Sequence, residues 1–157
     1  MSMQSARAHL AIWGRDKDIL VAQVSTATVA LAAAAFDVEP AHIAKTLAIY
    51  RGDGALLVVA AGDARLDNKK FKLQFGFKPK MLSAQDAIRF TTHEPGGVCP
   101  FGVPEMTEVY LDSSLKRFES VYPACGCASS AIELTLPELE QYSRSKGWVD
   151  VCRLADG

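Results

Sequence analysis

The first residue whose position suggests chemistry is a lysine inside a predicted β-strand. Side chains alternate between the two faces of a strand, so Lys45 would share a face with the apolar residues Ile43 and Leu47. An ammonium group among core side chains is unfavourable unless it is paired or used. Lys45 is therefore a candidate for holding negative charge in a site. The alternative is an edge-strand lysine that blocks pairing between sheets.

A glycine-rich loop is the second candidate. Residues 91–104 show no sustained apolar period, and they contain the run Gly96-Gly97-Val98-Cys99-Pro100-Phe101-Gly102. Paired glycines let a backbone approach a ligand closely and turn N–H groups toward it, while prolines stiffen the loop. Such a loop can form an oxyanion-type pocket, in which preorganised N–H donors face developing negative charge. A plain surface turn would also fit this composition.

The four cysteines allow several interpretations. Cys125 and Cys127 could be redox-active, could bind a metal or could be small core residues at a strand end, and the last interpretation is favoured. Cys99 lies in the glycine loop and is a weak candidate for a nucleophile, because no histidine that could act as its base stands at a convincing spacing. The sequence has no CxxC pair and no zinc-type spacing, so no metal site is expected. Four cysteines in 157 residues are too few for a disulfide scaffold, which indicates a reducing compartment.

One segment is unusually basic for a chain whose net charge is −1. Its cations are Arg65, Lys69, Lys70, Lys72, Lys78 and Lys80. A solvated helix face is the usual explanation of such a cluster, and contact with nucleic-acid phosphates is the more specific one. The nearly neutral total charge excludes a nucleic-acid binder that is held by charge spread over the whole molecule.

Length and composition predict one folded domain. The chain has 157 residues, of which 49% are hydrophobic and 22% are charged, so residues 1–157 are predicted to form a single domain with its own core. Met1–His9 has no apolar signal core. The apolar stretch Ile19–Val38 is interrupted by polar residues, which favours a buried helix over a membrane span. We therefore expect a cytoplasmic protein with no membrane association.

The elements that must position the candidate residues follow from periodicity and capping signals. Lys45–Tyr50 and Ala55–Ala61 are predicted to form a β-hairpin joined by Arg51-Gly52-Asp53-Gly54. The second of these strands is continuously apolar, which predicts burial on both faces. Helices are predicted at Thr28–Phe36, Asp67–Phe75, Ser83–Phe90 and Thr135–Gly147.

Further strands complete a mixed sheet. They are predicted at Lys80–Leu82, Glu108–Leu111, Ser120–Ala124, Ala131–Leu134 and Trp148–Cys152. Asp112 is placed to cap a short helix after the second of them. Helices and strands that mix in this order predict the α/β class, with a mixed β-sheet covered by helices.

Five short motifs, in their order and spacing, resemble the YbaK/ProX family of freestanding aminoacyl-tRNA editing domains over about residues 38–151. They are Ile43-Ala44-Lys45-Thr46-Leu47, Gly62 with Leu66-Asp67-Asn68-Lys69-Lys70, Gly96 to Gly102, Leu111-Asp112, and Gly126 with Ile132-Glu133-Leu134. The resemblance implies a single-domain, barrel-like mixed β-sheet surrounded by helices. It also implies hydrolysis, in trans and without a metal or cofactor, of the ester that joins a wrong amino acid to the 3′ end of a tRNA.

The resemblance also implies roles for individual residues. The functional lysine of the family matches Lys45, and its Gly-x-x-x-Pro loop matches Gly96–Pro100, so the expected catalytic residues are Lys45, Gly96 and Gly97. Substrate binding is expected from Thr46, Val98, Cys99, Pro100, Phe101, Asp112 and Gly126. Contact with the tRNA backbone is expected from Lys69, Lys70 and Lys72.

The expected substrate is tRNA for proline that carries a small wrong amino acid such as alanine or cysteine, and serine and threonine remain open. Val103-Pro104-Glu105 stands where the cysteine-specific branch has a basic run, and Ala124 stands where many members have serine. Prolyl-tRNA synthetase is a candidate partner, and the protein is expected to be a monomer or a homodimer. Two other functions stay open: a non-catalytic binder of tRNA ends or nucleotides, and a thiol-redox protein that uses Cys125 and Cys127.

Overall fold

The computed structural model describes residues 2–154, and a mixed six-stranded β-sheet lies at its centre. The strands of this part of the chain are β1 (Leu20–Val21), β2 (Ile43–Arg51), β3 (Gly54–Ala61), β4 (Ala64–Leu66), β5 (Glu108–Asp112), β6 (Ser120–Pro123), β7 (Ser130–Ala131), β8 (Leu134–Thr135), β9 (Trp148–Val149) and β10 (Cys152–Leu154). The main sheet has the order β8-β6-β2-β3-β5-β9, and β1–β7 and β4–β10 form two small antiparallel sheets. The main sheet curls into a half-barrel, which confirms the predicted mixed α/β fold.

Helices surround the sheet, and side-chain caps decide where most of them begin. They are α1 (Ser2–Ala11), α2 (Val29–Phe36), α3 (Asn68–Phe75), α4 (Ala84–Thr91) and α5 (Leu136–Tyr142). The last four are capped by Thr28, Asp67, Ser83 and Thr135, the residues at which the four predicted helices begin. Each cap accepts hydrogen bonds from N–H groups that the first helical turn leaves free. Within residues 2–154, no helix is long and apolar enough to cross a membrane.

The β2–β3 hairpin forms the middle of the sheet. Its register runs from Ala44 opposite Ala61 to Arg51 opposite Gly54. β3 pairs with β2 on one edge and with β5 on the other, and all of its residues from Ala55 onward are buried. The predicted hairpin and the predicted burial of its second strand are therefore confirmed. A strand covered on both faces gives β2 a rigid neighbour.

The other edge of β2 is only partly paired, and this leaves a gap in the sheet. β6 pairs with β2 in parallel at Ile43–Ala44. Pro123 ends β6, and a proline has no N–H to continue a ladder. Farther along β2, residues 80–82 approach the same edge and donate a hydrogen bond to the carbonyl of Ala48. Residues 45–47 therefore lie between the end of β6 and the segment 80–82.

The N-terminal region differs most from the prediction. The expected buried helix over residues 19–38 is wrong, because only α2 is helical there and the preceding segment contains the short strand β1. α1 was not predicted, since its sequence lacks a regular apolar stripe. It buries Ala6 and Leu10 and is fixed by His9. The N–H of Gly102 donates to Nδ1 of His9 (2.9 Å), and Nε2 of His9 lies 2.6 Å from the carbonyl oxygen of Tyr142.

Four predicted elements are shorter than expected or divided. Ala131–Leu134 is split between β7 and β8, and Trp148–Cys152 is split between β9 and β10, which lie in different sheets. The last helix ends at Tyr142 instead of Gly147, and Arg144 then adopts a left-handed φ of 53°. The predicted strand Lys80–Leu82 is reduced to a single bridge.

Candidate functional site

A cleft of about 250 Å³ opens at the gap beside β2. Its walls come from the segment before α2, the start of β2, the glycine loop, the end of β6 and β7. The polar residues that line it are Thr26, Thr28, Lys45, Thr46, Tyr122 and Ser130. Small residues, among them Ala44, Ala124 and Gly96, form much of the remaining wall. The cleft thus combines hydroxyl groups, one cation and a close-approaching backbone.

Lys45 is held at the cleft by backbone carbonyls. Its Nζ donates to the carbonyl oxygen of Gly62 at 3.4 Å and also to that of Ala64. Burial lowers the pKa of the Lys45 ammonium, while the nearby Cys152 and Asp63 act in the opposite direction. Within residues 2–154 the ammonium forms no ion pair, so its positive charge is not neutralised by a carboxylate in direct contact. A cation in this state can attract a negatively charged group of a ligand.

The turn that holds Lys45 depends on a glycine. A Cβ on Gly62 would overlap the carbonyl of Pro40 and crowd Val29. Only a residue without a side chain lets the β3–β4 turn lie this close to the residues before β2 and at the start of α2. The close approach brings the two carbonyl acceptors of Lys45 to the edge of the cleft.

The two glycines of the loop have different surroundings. Gly96 lines the cleft, and its N–H has no hydrogen-bond acceptor among the described residues. Gly97 is buried behind the loop, where its N–H donates to Glu94 (2.8 Å) and its carbonyl accepts from the N–H of Gly126 (3.1 Å). Gly97 was expected among the catalytic residues, but the structure engages its N–H and its carbonyl in holding the loop. Gly96 keeps a donor available for a ligand.

Thr46 occupies the unpaired part of the β2 edge. The N–H of Tyr50 and the carbonyl of Ala48 both bond to the segment 80–82, away from β3. Hydrogen-bonding direction alternates along a strand of an antiparallel pair, so the backbone groups of Thr46 face the same side, toward the gap. Its hydroxyl oxygen is buried and has no hydrogen-bond partner among residues 2–154. Thr46 therefore offers polar groups that a ligand could satisfy.

Of the ten residues expected in the catalytic and substrate-binding sets, four line the cleft: Lys45, Thr46, Gly96 and Val98. The others lie elsewhere. Phe101 is fully buried in the core, and Pro100 borders a different hollow near His9. Gly126 has a φ of 90°, a left-handed conformation that suits glycine, and it supports the loop from behind. Sequence order placed these residues near the cleft, but the chain turns away from it after Val98.

Cys99 cannot serve as a nucleophile in this structure. It is fully buried, and burial raises the pKa of its thiol to about 12. His93, which sequence spacing did not single out, lies 3.4 Å from the sulfur through Nε2. The same nitrogen is 2.6 Å from the carbonyl oxygen of Phe101, which can only accept, so Nε2 carries the proton and cannot take one from the thiol. The pair is a structural contact.

Asp112 connects two elements away from the cleft. Its Oδ2 accepts a hydrogen bond from the N–H of Ser114 (2.9 Å), as a helix cap. Its Oδ1 accepts one from the N–H of Val151 (2.8 Å), which separates β9 from β10. The predicted cap is confirmed, but the expected contact with substrate is not supported, because Asp112 is buried and lies outside the cleft.

Cys125 and Cys127 are both free thiols. Cys125 is fully buried, and burial raises its pKa well above the usual value. For Cys127, burial acts to raise the pKa, but hydrogen bonds from Ser130 and Ser129 outweigh it and lower the pKa. A buried thiol of raised pKa is unreactive, so this pair does not resemble a redox-active dithiol. No group of three or more His, Cys, Asp or Glu residues within residues 2–154 could hold a metal ion.

The cleft also contains residues that the sequence did not single out. Thr26, Thr28, Tyr122 and Ser130 come from segments whose patterns indicated only strands, turns or a helix start. Two of these hydroxyls already have structural partners: Thr28 caps α2, and Ser130 accepts from the N–H of Cys125 (3.1 Å). No local signal marks such residues, since their position depends on which distant segments border the gap.

The basic segment lies on β4, α3 and the chain that follows α3, outside the cleft. Lys69 and Lys72 are exposed. Lys70 is engaged within the protein, where its Nζ contacts the carboxylate of Asp150 (3.1 Å) and the carbonyl of Cys152 (3.0 Å). The three lysines are therefore not equivalent, and two of them are free to meet a ligand.

Comparison with known proteins gives a consistent result. The sequence pattern of the family described as aminoacyl-tRNA editing domain matches residues 23–142 of this chain. The uncharacterized protein YwhH of Bacillus subtilis (strain 168) is 52% identical over 155 residues, which cover 98% of both chains. The crystal structure of a proposed trans-editing enzyme for prolyl-tRNA synthetase superimposes with a TM-score of 0.86 and 25% identity over 97% of each chain. The crystal structure of the hypothetical protein APE2540 superimposes with a TM-score of 0.80 and 27% identity. The match covers 92% of this chain and 99% of APE2540. This chain belongs to the aminoacyl-tRNA editing domain family.

Proposed function

We propose that the protein is an aminoacyl-tRNA deacylase that acts in trans on tRNA for proline carrying a small wrong amino acid. The observation that carries the proposal is the convergence of Lys45 and the free N–H of Gly96 on one cleft, although they lie far apart in the chain. Family membership supports editing as the activity. The similar structure named as a proposed trans-editing enzyme for prolyl-tRNA synthetase supports tRNA for proline as the substrate and prolyl-tRNA synthetase as a partner.

The proposed reaction is attack of water on the ester carbonyl. A bond forms between the water oxygen and the carbonyl carbon, and the carbonyl oxygen becomes an oxyanion. The ester C–O bond then breaks, and the ribose oxygen leaves with a proton derived from the water, so that free amino acid and tRNA are released. In the proposed reaction the N–H of Gly96 and the ammonium of Lys45 stabilise the oxyanion, each lowering the barrier by about 3–4 kcal/mol.

The size of the cleft supports a small amino acid. About 250 Å³ must accommodate both the aminoacyl group and part of the terminal ribose. A volume of this size has room for a small aminoacyl group, and we propose alanine or cysteine as the residue removed. One methylene group changes binding in a tight pocket by about 1–3 kcal/mol, so steric selection among small amino acids is modest.

Release of radiolabelled amino acid from a panel of mischarged tRNAs tests this function. The panel pairs tRNA for proline with alanine, cysteine, serine, threonine and, as the correct substrate, proline. We expect release of alanine or cysteine to exceed release of proline by at least tenfold. Binding of the mischarged tRNAs without release of any amino acid would instead identify a non-catalytic binder of tRNA ends.

We also propose that Lys69 and Lys72 contact tRNA phosphates. Each phosphate contact contributes about 0.7–0.9 to the slope of log affinity against log salt concentration. Replacing both lysines by glutamine is expected to reduce this slope by about 1.5, as measured by tRNA binding at several salt concentrations. The matched control replaces the exposed Lys17 and Lys146 by glutamine, which changes the net charge equally. Equal slopes in the two double variants would show that α3 does not meet the backbone.

A further inference from the structure

An apolar groove adjoins the cleft on the far side of the glycine loop. It has a volume of about 220 Å³ and lies between β2, the segment before α4 and α4 itself. Its own lining residues are Ala48, Met81, Leu82, Ala84 and Ala87. None of these side chains is charged or polar, and three of the five are alanines, whose small side chains leave room for a ligand. Nothing in the proposed reaction so far uses this groove.

The groove and the cleft meet at the unpaired edge of β2. Thr46, Pro95 and Val98 line both of them, so the two hollows are separated by one residue of the strand and by the tip of the loop. The groove is open to solvent, since the Met81 side chain on its wall is 49% exposed. A ligand bound in the cleft could therefore extend into the groove without crossing the protein.

We infer that the groove holds the adenine base of the 3′-terminal nucleotide of tRNA, an inference that rests on the proposed deacylase function. The amino acid is esterified to the ribose that carries this base. The base must therefore lie within one sugar of the reacting carbonyl, and the groove is the hollow that shares lining residues with the cleft. A purine ring is flat and largely apolar on its faces, which suits a slot between aliphatic side chains.

The chemistry of the two hollows assigns the two ends of the substrate. The ester carbonyl develops negative charge and needs the cation and the N–H donor, which line the cleft and not the groove. The groove supplies apolar walls and, at its junction with the cleft, the buried hydroxyl of Thr46, which has no hydrogen-bond partner in the described part of the chain. A base that enters the slot can satisfy this hydroxyl with a ring nitrogen, and burial of such a group is unfavourable while it stays unpaired.

A variant that fills the groove tests the inference. Ala84 lies on the exposed first turn of α4, so Ala84→Phe narrows the slot without burying a new polar group. The matched control is Gln85→Phe, which adds the same ring at the neighbouring exposed position, outside the groove. For Ala84→Phe we expect KM for mischarged tRNA to rise at least tenfold with kcat within twofold of the parent protein. Gln85→Phe is expected to leave both constants unchanged.

A second substrate shows whether the loss concerns the base. For a mischarged tRNA whose terminal nucleotide lacks its base, KM of the parent protein should also rise at least tenfold. On this abasic substrate, KM of Ala84→Phe should be little higher than KM of the parent protein, because the substitution and the missing base remove the same contact. If the increases in KM from the substitution and from the missing base multiply, the two changes are independent and the inference is overturned. A changed amino-acid preference in Ala84→Phe would also overturn it and would place the amino acid in the groove.

Direct binding separates this inference from the proposed function. Adenosine 5′-monophosphate is expected to bind the parent protein and Gln85→Phe, and to bind Ala84→Phe at least tenfold more weakly, with ribose 5-phosphate as the control without a base. Equal binding to Ala84→Phe, or binding that does not depend on the base, would refute the groove assignment even if the parent protein deacylates tRNA. Selective binding without any deacylation would refute the deacylase and leave a nucleotide-binding groove.

Discussion

Replacing Lys45 by alanine is expected to reduce kcat/KM for deacylation by about 10²–10³-fold, the range found when one preorganised oxyanion donor is removed. The reason is that Lys45 lines the cleft with an ammonium that no carboxylate of residues 2–154 contacts, so its charge is available to the oxyanion of the proposed reaction. The measurement is the initial rate of amino-acid release at several concentrations of mischarged tRNA.

The fold is expected to survive this change. Burial lowers the pKa of Lys45, which shows that its surroundings disfavour the charged form. A neutral side chain avoids that desolvation, so thermal unfolding of Lys45→Met, which keeps the length of the side chain, should stay close to that of the parent protein. Lys78→Ala removes an exposed lysine and serves as the control. Unchanged turnover in a folded Lys45→Ala protein would remove this residue from the mechanism.

Gly97→Ala is expected to have the second-largest effect, and on stability as well as activity. The added Cβ would lie 2.5 Å from the backbone nitrogen of Cys127 and 2.6 Å from its Cα, and backbone atoms cannot move aside as a flexible side chain can. Overpacking of this kind destabilises a protein by about 1–3 kcal/mol. A shift of the loop by about 1 Å would also misplace Gly96 and lower deacylation about 10²-fold. Denaturant unfolding and steady-state kinetics measure the two effects.

Two other glycines make the comparison specific. Gly54→Ala introduces a Cβ whose nearest neighbour is 3.9 Å away, so neither stability nor activity should change appreciably. Gly96→Ala would meet the Cβ atoms of Ala27 and Ala128 at 3.0 and 3.1 Å, on the cleft side of the loop, and is expected to impair activity more than stability. If Gly97→Ala has the same free energy of unfolding and the same deacylation rate as Gly54→Ala, close packing behind the loop is not required.

The accuracy of the sequence-based predictions depended on the range of the interactions involved. The starts of α2 to α5 were predicted because a cap and the N–H groups that it satisfies lie within three residues of each other. The β2–β3 hairpin was predicted because its loop and its apolar run are adjacent. By contrast, α1 was missed, since its packing depends on contacts of His9 with Gly102 and Tyr142, which are remote in the chain.

The same distinction applies to the site. Lys45 could be found because a lysine among apolar strand positions is visible in a single stretch of sequence, and the glycine loop because its composition is local. The sequence could not show that Gly96 presents its N–H while Gly97 uses its own for Glu94. Nor could it exclude Cys99, whose burial and raised pKa come from the core that closes around it.

By itself, the sequence therefore determined the class of the fold, the starts of four helices, the central hairpin and two features that border the cleft, Lys45 and the glycine loop. Only the tertiary structure decided where β6 leaves β2, which residues border the resulting gap and which backbone donors stay free there. The physical reason is that caps and turns are satisfied by neighbours in the chain, whereas a cleft is bounded by segments that meet only when the sheet has curled and the N-terminal region has packed against it.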